Sequence, residues 1–117
     1  MNRGKLGREI RVAVPTKEEG GVDDVVADVF GRAKTFTIVD IEGKAVTKVE
    51  VIQNPAASYK HGAGPIAVKM LIDRGVNTVV AGEFGPGVST LLEQFNVGKA
   101  EVKRGTRVAE AIKPFIE

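Results

Sequence analysis

Residues 76–81, Val-Asn-Thr-Val-Val-Ala, form a short, almost unbroken apolar run between Gly75 and Gly82. The run is too short for a helix and has no polar face. It reads as a central strand covered on both faces, which requires a sheet with helices packed on it. The flanking segments supply helices. Ile66 to Arg74 is apolar nearly all round, so a largely buried helix is expected, with Pro65 at its first position and Gly75 as its cap. Val88, Leu91, Leu92 and Phe95 fall at i, i+3, i+4, i+7, the pattern of an amphipathic helix ending near Asn96. A last helix carries Val108, Ala111, Ile112 and Phe115 as its stripe. Thr106 is its expected N-cap, and Pro114 should kink or stop it in the final turn.

The first half of the chain supplies strands. Residues 9–14 alternate, with Ile10, Val12 and Val14 on one face, and Pro15 is expected to end them. A polar loop over 15–24 and an apolar patch from Val25 to Phe30, closed by Gly31, follow. Residues 35–41 and 44–53 read as strands joined by a short turn at Glu42-Gly43, so they must pair antiparallel. The second of them sets Val49 and Val51 against Lys48 and Glu50, an edge pattern whose charges should blunt pairing with other chains. Asn54-Pro55 breaks that strand. Residues 99–103 alternate in the same way and make a second edge.

The order β-β-β-α-β-α-β-α joins an antiparallel meander to α/β units with right-handed crossovers. The expected fold is α/β and ribonuclease-H-like: a mixed five-stranded sheet ordered 3-2-1-4-5, strand 2 antiparallel, with three flanking helices. Strands 1 and 4 would end together where such sheets place ligands, bringing residues 15–33 and 82–87 together. With 117 residues, 43% of them hydrophobic, residues 9–117 make one domain. Residues 1–8, with Arg3, Lys5 and Arg8 among glycines, read as a flexible basic tail.

Composition removes several classes of chemistry. The chain has no cysteine, which excludes disulfides, thiolate nucleophiles and Cys-held clusters. The formal net charge of +2 makes no case for nucleic acid. No apolar stretch approaches membrane-helix length and no signal-peptide core follows the basic N-terminus, so no membrane partner and a cytoplasmic location are expected. A nuclease needs converging carboxylates. The first strand has none after Glu9. Ser58 and Ser89 have only His61 as a possible base, and no G-x-S-x-G elbow exists. Gly82 to Thr90 holds no lysine, so it is not a phosphate-binding P-loop. The acids Glu18, Glu19, Asp23, Asp24 and Asp28 lack calcium-loop spacing and read as a solvated loop.

Two glycine-rich turns remain, His61-Gly62-Ala63-Gly64-Pro65 and Gly82-Glu83-Phe84-Gly85-Pro86-Gly87, each leading into a helix. Backbone N–H groups at such places suit an anion, and they serve equally as tight turns and caps. Arg32, beside Gly31 and Phe30, adds a cation if the site is an anion pocket.

Val29-Phe30-Gly31-Arg32-Ala33 followed by Phe36-Thr37-Ile38-Val39-Asp40 resembles the F-G-R-A…F-x-I-V signature of the dinitrogenase iron–molybdenum cofactor biosynthesis family. Asn54-Pro55, Gly62-Ala63-Gly64, Gly75-Val76 and Phe84-Gly85-Pro86-Gly87 fit the same pattern, so the resemblance covers roughly residues 9–115. It implies a non-catalytic carrier or chaperone of an iron–molybdenum cofactor or an iron–sulfur precursor, exchanging it with cofactor-assembly proteins, as a monomer or weak homodimer. Phe30, Gly31, Arg32, Gly62, Gly64, Phe84, Gly85 and Gly87 would hold the cofactor. Nitrogen-fixation members often carry a histidine just before Phe-Gly; here that position is Val29, and His61 is the candidate metal ligand in its place. The alternative reading is a sensor of a small anion, or a protein-interaction module, with no metal cluster.

Overall fold

A computed structural model describes residues 9–85 and 87–117. The basic tail at 1–8 and Pro86 of the second glycine turn lie outside the described residues. Strands β1 (Glu9–Thr16), β2 (Thr35–Glu42), β3 (Ala45–Gln53), β4 (Thr78–Ala81) and β5 (Gly98–Glu101) form one sheet in the order β3-β2-β1-β4-β5. β2 runs antiparallel to β1 and β3, while β4 is parallel to β1 and β5. The mixed sheet and the expected strand order are both present.

Strand alternation builds two cores. Ala13, Ile38 and Val79 face helices α1 (Ala63–Asp73) and α2 (Val88–Gln94), where Phe30, Phe36, Leu71 and Leu92 complete the packing. Val12, Val14, Val39 and Val80 face the other way, onto Val108, Ala111 and Ile112. β4 is thus covered on both sides, as its apolar run requires. Among the described residues no helix is long and apolar enough to cross a membrane.

Several local expectations are corrected. β1 continues through Pro15 to Thr16, because β4 pairs with β1 only at Val12 and Ala13. A missing N–H is harmless where that partner strand has stopped. α1 starts at Ala63 with Gly62 as its cap in the left-handed region (φ 75°), so Pro65 is third rather than first. Its N–H would have lacked an intrahelical partner there too. α1 also buries one face only: Ala63, Ala67, Val68 and Leu71 point inward, while Ile66 stays exposed. The last helix is two short ones, α3 (Val108–Ala111) and α4 (Lys113–Ile116). Pro114 cannot donate to the carbonyl four residues back, which breaks the run. The cap of α3 is Arg107; the Thr106 hydroxyl donates to the Lys103 carbonyl instead. The patch from Val25 makes isolated bridges, Val25 with Arg107 and Val26 with Thr16. Asp24 is buried rather than solvated. Its carboxylate accepts from the backbone N–H groups of Glu18 (2.8 Å), Gly20 (3.3 Å) and Val25 (2.7 Å) and so organises the loop after β1.

Candidate functional site

The loop after β1 and the exit of β4 meet. Phe30 N–H donates to the Glu83 carbonyl (3.3 Å), and the Phe30 ring packs against Phe36 (5.2 Å between centroids) and Phe84 (6.3 Å). Phe30 is fully buried, so it anchors the loop from behind. That fixes where Gly31 and Arg32 emerge.

Gly31 then meets the start of α1. A Cβ at Gly31 would stand 2.7 Å from Gly64 N and 2.8 Å from Gly64 Cα. A Cβ at Gly64 would stand 2.6 Å from Val88 Cγ2, at the start of α2. These two glycines let three segments stack closely, backbone on backbone at Gly31–Gly64 and backbone on the Val88 side chain at Gly64. Gly62, Gly85 and Gly87 differ. All three have positive φ (75°, 86° and 79°), and nothing lies within 4 Å of a Cβ at Gly85 or Gly87. They serve turn conformation and leave their surroundings open.

The three segments enclose a shallow depression of about 250 Å³, lined by Val29, Gly31, Arg32, Gly62, Ala63, Gly64, Pro65, Phe84, Gly85 and Val88. Six of the eight expected cofactor-binding residues line it: Gly31, Arg32, Gly62, Gly64, Phe84 and Gly85. Phe30 stands behind the wall, and Gly87 is exposed at the cap of α2. Arg32 is exposed, and its Nη2 donates to the Lys60 carbonyl (2.7 Å), which ties the rim to the loop before α1. His61 is exposed next to Gly62 and is not part of the lining. Among the described residues, no three His, Asp or Glu side chains gather as a metal site.

Val29 and Arg32 also border a second depression of about 290 Å³ that holds Lys17, Asp28 and Lys34. Lys34 Nζ lies 3.0 Å from Glu18 Oε1, and that hydrogen bond raises the lysine pKa above its ordinary value. A cavity of about 410 Å³ sits at the other end of β1 and contains Arg11 and Asp40. Arg11 Nε donates to Asp40 (2.7 Å) and Nη1 to the Arg74 carbonyl (2.6 Å), so its charge is already engaged. That pairing holds the guanidinium pKa above its usual value. The candidate site is therefore the smaller, glycine-lined depression.

Asn54 contributes more than its sequence position suggests. It is buried, its Nδ2 donates to the carbonyls of Gly31 (3.0 Å) and Ala33 (2.8 Å), and its Oδ1 accepts from Ala56 N–H (3.0 Å). One side chain thus fixes the Gly31–Ala33 loop to the end of β3. An Asn before Pro is a known turn initiator; its reach back to Gly31 has no local signal.

The family model for dinitrogenase iron–molybdenum cofactor proteins matches residues 8–117. The uncharacterized protein MJ0580 of Methanocaldococcus jannaschii is 31% identical over 88 residues, covering 75% of this chain and 74% of that one. The apo form of the orange protein from Desulfovibrio gigas superposes with a TM-score of 0.79 at 27% identity, over 90% of this chain and 85% of that one. A Thermotoga protein named after NifB, solved by NMR, gives a TM-score of 0.73 at 34% identity, over 91% and 86% of the two chains.

Proposed function

The chain belongs to the dinitrogenase iron–molybdenum cofactor family, and on that premise we propose that it is a small, non-catalytic binding protein whose cargo is an anionic metal–sulfur cofactor or its precursor. The observation that carries this reading is the convergence of Gly31-Arg32, Gly62–Gly64 and Phe84-Gly85 on one open depression. In this reading the sheet is ribonuclease-H-like, and its ligand edge is the one beyond the ends of β1 and β4, on the side of Phe84 and Gly85.

The donor set supports a cargo held lightly. With no cysteine in the chain, an anionic cluster would rest on backbone N–H groups and the Arg32 guanidinium, and its one imidazole ligand would be His61, which would reach in from beside the lining. Light holding suits a protein that must give its cargo up. In this reading cofactor-assembly proteins of the cytoplasm deliver and receive the cargo.

The test is anaerobic incubation of the purified protein with a cluster donor, followed by absorption and paramagnetic resonance spectroscopy. The reading expects a bound cluster signal in the wild type. It expects His61→Ala to change the resonance spectrum while uptake persists. Absence of any bound signal overturns the cargo, and identical spectra overturn His61 as a ligand.

A further inference from the structure

Charges on one face of the sheet line up across three strands. Arg11 on β1 is the register partner of Asp40 on β2, and Asp40 is the register partner of Lys48 on β3. The first pair is a tight ion pair, Arg11 Nε to Asp40 Oδ1 at 2.7 Å. Lys48 ends the row on an edge strand. Among the described residues its ammonium makes only a long contact, 3.9 Å, to Glu50 two residues along its own strand. Opposite charges facing each other across strands stabilise a pairing, so the row has room for an acid beyond Lys48.

β3 is an unusual edge. Ala45 to Glu50 are exposed on both faces of the sheet, and Val46 and Val49 are each 42% exposed. Its sequence is also self-complementary. With two antiparallel copies centred on Val49, Lys48 stands opposite Glu50 of the partner subunit, and Glu50 opposite the partner's Lys48. Val49 meets the partner's Val49 on the other face. The alternating row Arg11, Asp40, Lys48 would then continue onto Glu50 of the partner subunit.

We propose that β3 is a homodimerisation edge, on which a second copy of this chain pairs antiparallel about Val49 and extends the sheet to ten strands. The charges that repel unrelated edges are complementary for this one partner. The irregularity of the β2–β3 ladder between Asp40 and Ile41 confines the regular ladder to Lys48–Gln53, so the dimer is a weak one. The proposal stands independently of the cargo.

Sedimentation velocity over a concentration series tests it, with circular dichroism confirming that each variant folds. The wild type is expected to show a concentration-dependent dimer, weakened by high salt. Lys48→Glu and Glu50→Lys each set like charges opposite one another twice, and each alone should weaken the dimer roughly tenfold or more. An equimolar mixture of the two variants restores both opposite-charge pairs and should dimerise again. A wild type that stays monomeric up to millimolar concentration overturns the proposal. So does a dimer indifferent to both reversals, or a mixture that remains monomeric.

Discussion

Gly31 and Gly64 pack backbone against backbone: a Cβ on Gly31 would lie 2.7 Å from Gly64 N. The contact joins the loop after β1 to the first turn of α1 and sets the width of the depression. Gly31→Ala must push the two apart. Overpacking of this kind costs about 1–3 kcal/mol, a fall of roughly 5–15 °C in Tm for a domain of this size. Gly85→Ala meets no neighbour and costs only the left-handed backbone, about 1 kcal/mol. Thermal unfolding of both variants should rank Gly31→Ala as the more damaging.

Asn54 is the second determinant of that loop. Asn54→Ala leaves the carbonyls of Gly31 and Ala33 without their side-chain donor in a buried setting. A loss of about 2–3 kcal/mol is expected. Amide exchange should rise first at Phe30–Lys34 and Ala56–Ala57, with the β1–β2 ladder still protected. Uniform loss of protection would contradict the local role.

Phe30 holds the loop from the core side. Phe30→Ala should cost about 3–5 kcal/mol, a large share of the roughly 5–15 kcal/mol total typical of a domain. Phe30→Leu keeps most of the volume and should be far milder. Urea unfolding distinguishes them, and equal midpoints would contradict the packing described.

The Lys34–Glu18 pair gives a pH signature. The folded pKa of Lys34 is raised by its bond to Glu18, so its contribution is complete below the unfolded value of about 10.4. It is lost as pH rises through the raised value. Lys34→Met should melt slightly below wild type at pH 8 and converge with it in stronger alkali. The effect is small because both side chains are solvated.

The sheet was legible because each strand announces itself. The apolar run at Val79–Ala81 demanded cover on both faces, and the Glu42-Gly43 turn left only antiparallel pairing for its neighbours. Strand order followed from those two facts. Boundaries were less legible wherever proline intervened: Pro15 breaks a strand only if a neighbour needs its N–H, and that depends on where β4 stops. The glycine turns were legible as turns, but not their division of labour. Gly31 and Gly64 are there for close contact, Gly62, Gly85 and Gly87 for backbone sign, and only the three-dimensional neighbours tell them apart. The burial of Asp24 and the reach of Asn54 to Gly31 join positions that no local pattern connects.

Binding of an anionic cluster donor to wild type and Arg32→Glu, followed by titration at low ionic strength, tests the central claim most directly. Arg32 is exposed and lines the depression, and the hydrogen bond it gives up, to the Lys60 carbonyl, is a surface one, so reversing its charge should lower Tm only slightly. The account predicts at least roughly tenfold weaker binding by Arg32→Glu, since an attractive charge near an anion becomes a repulsive one. Equal affinities for the two proteins would contradict it.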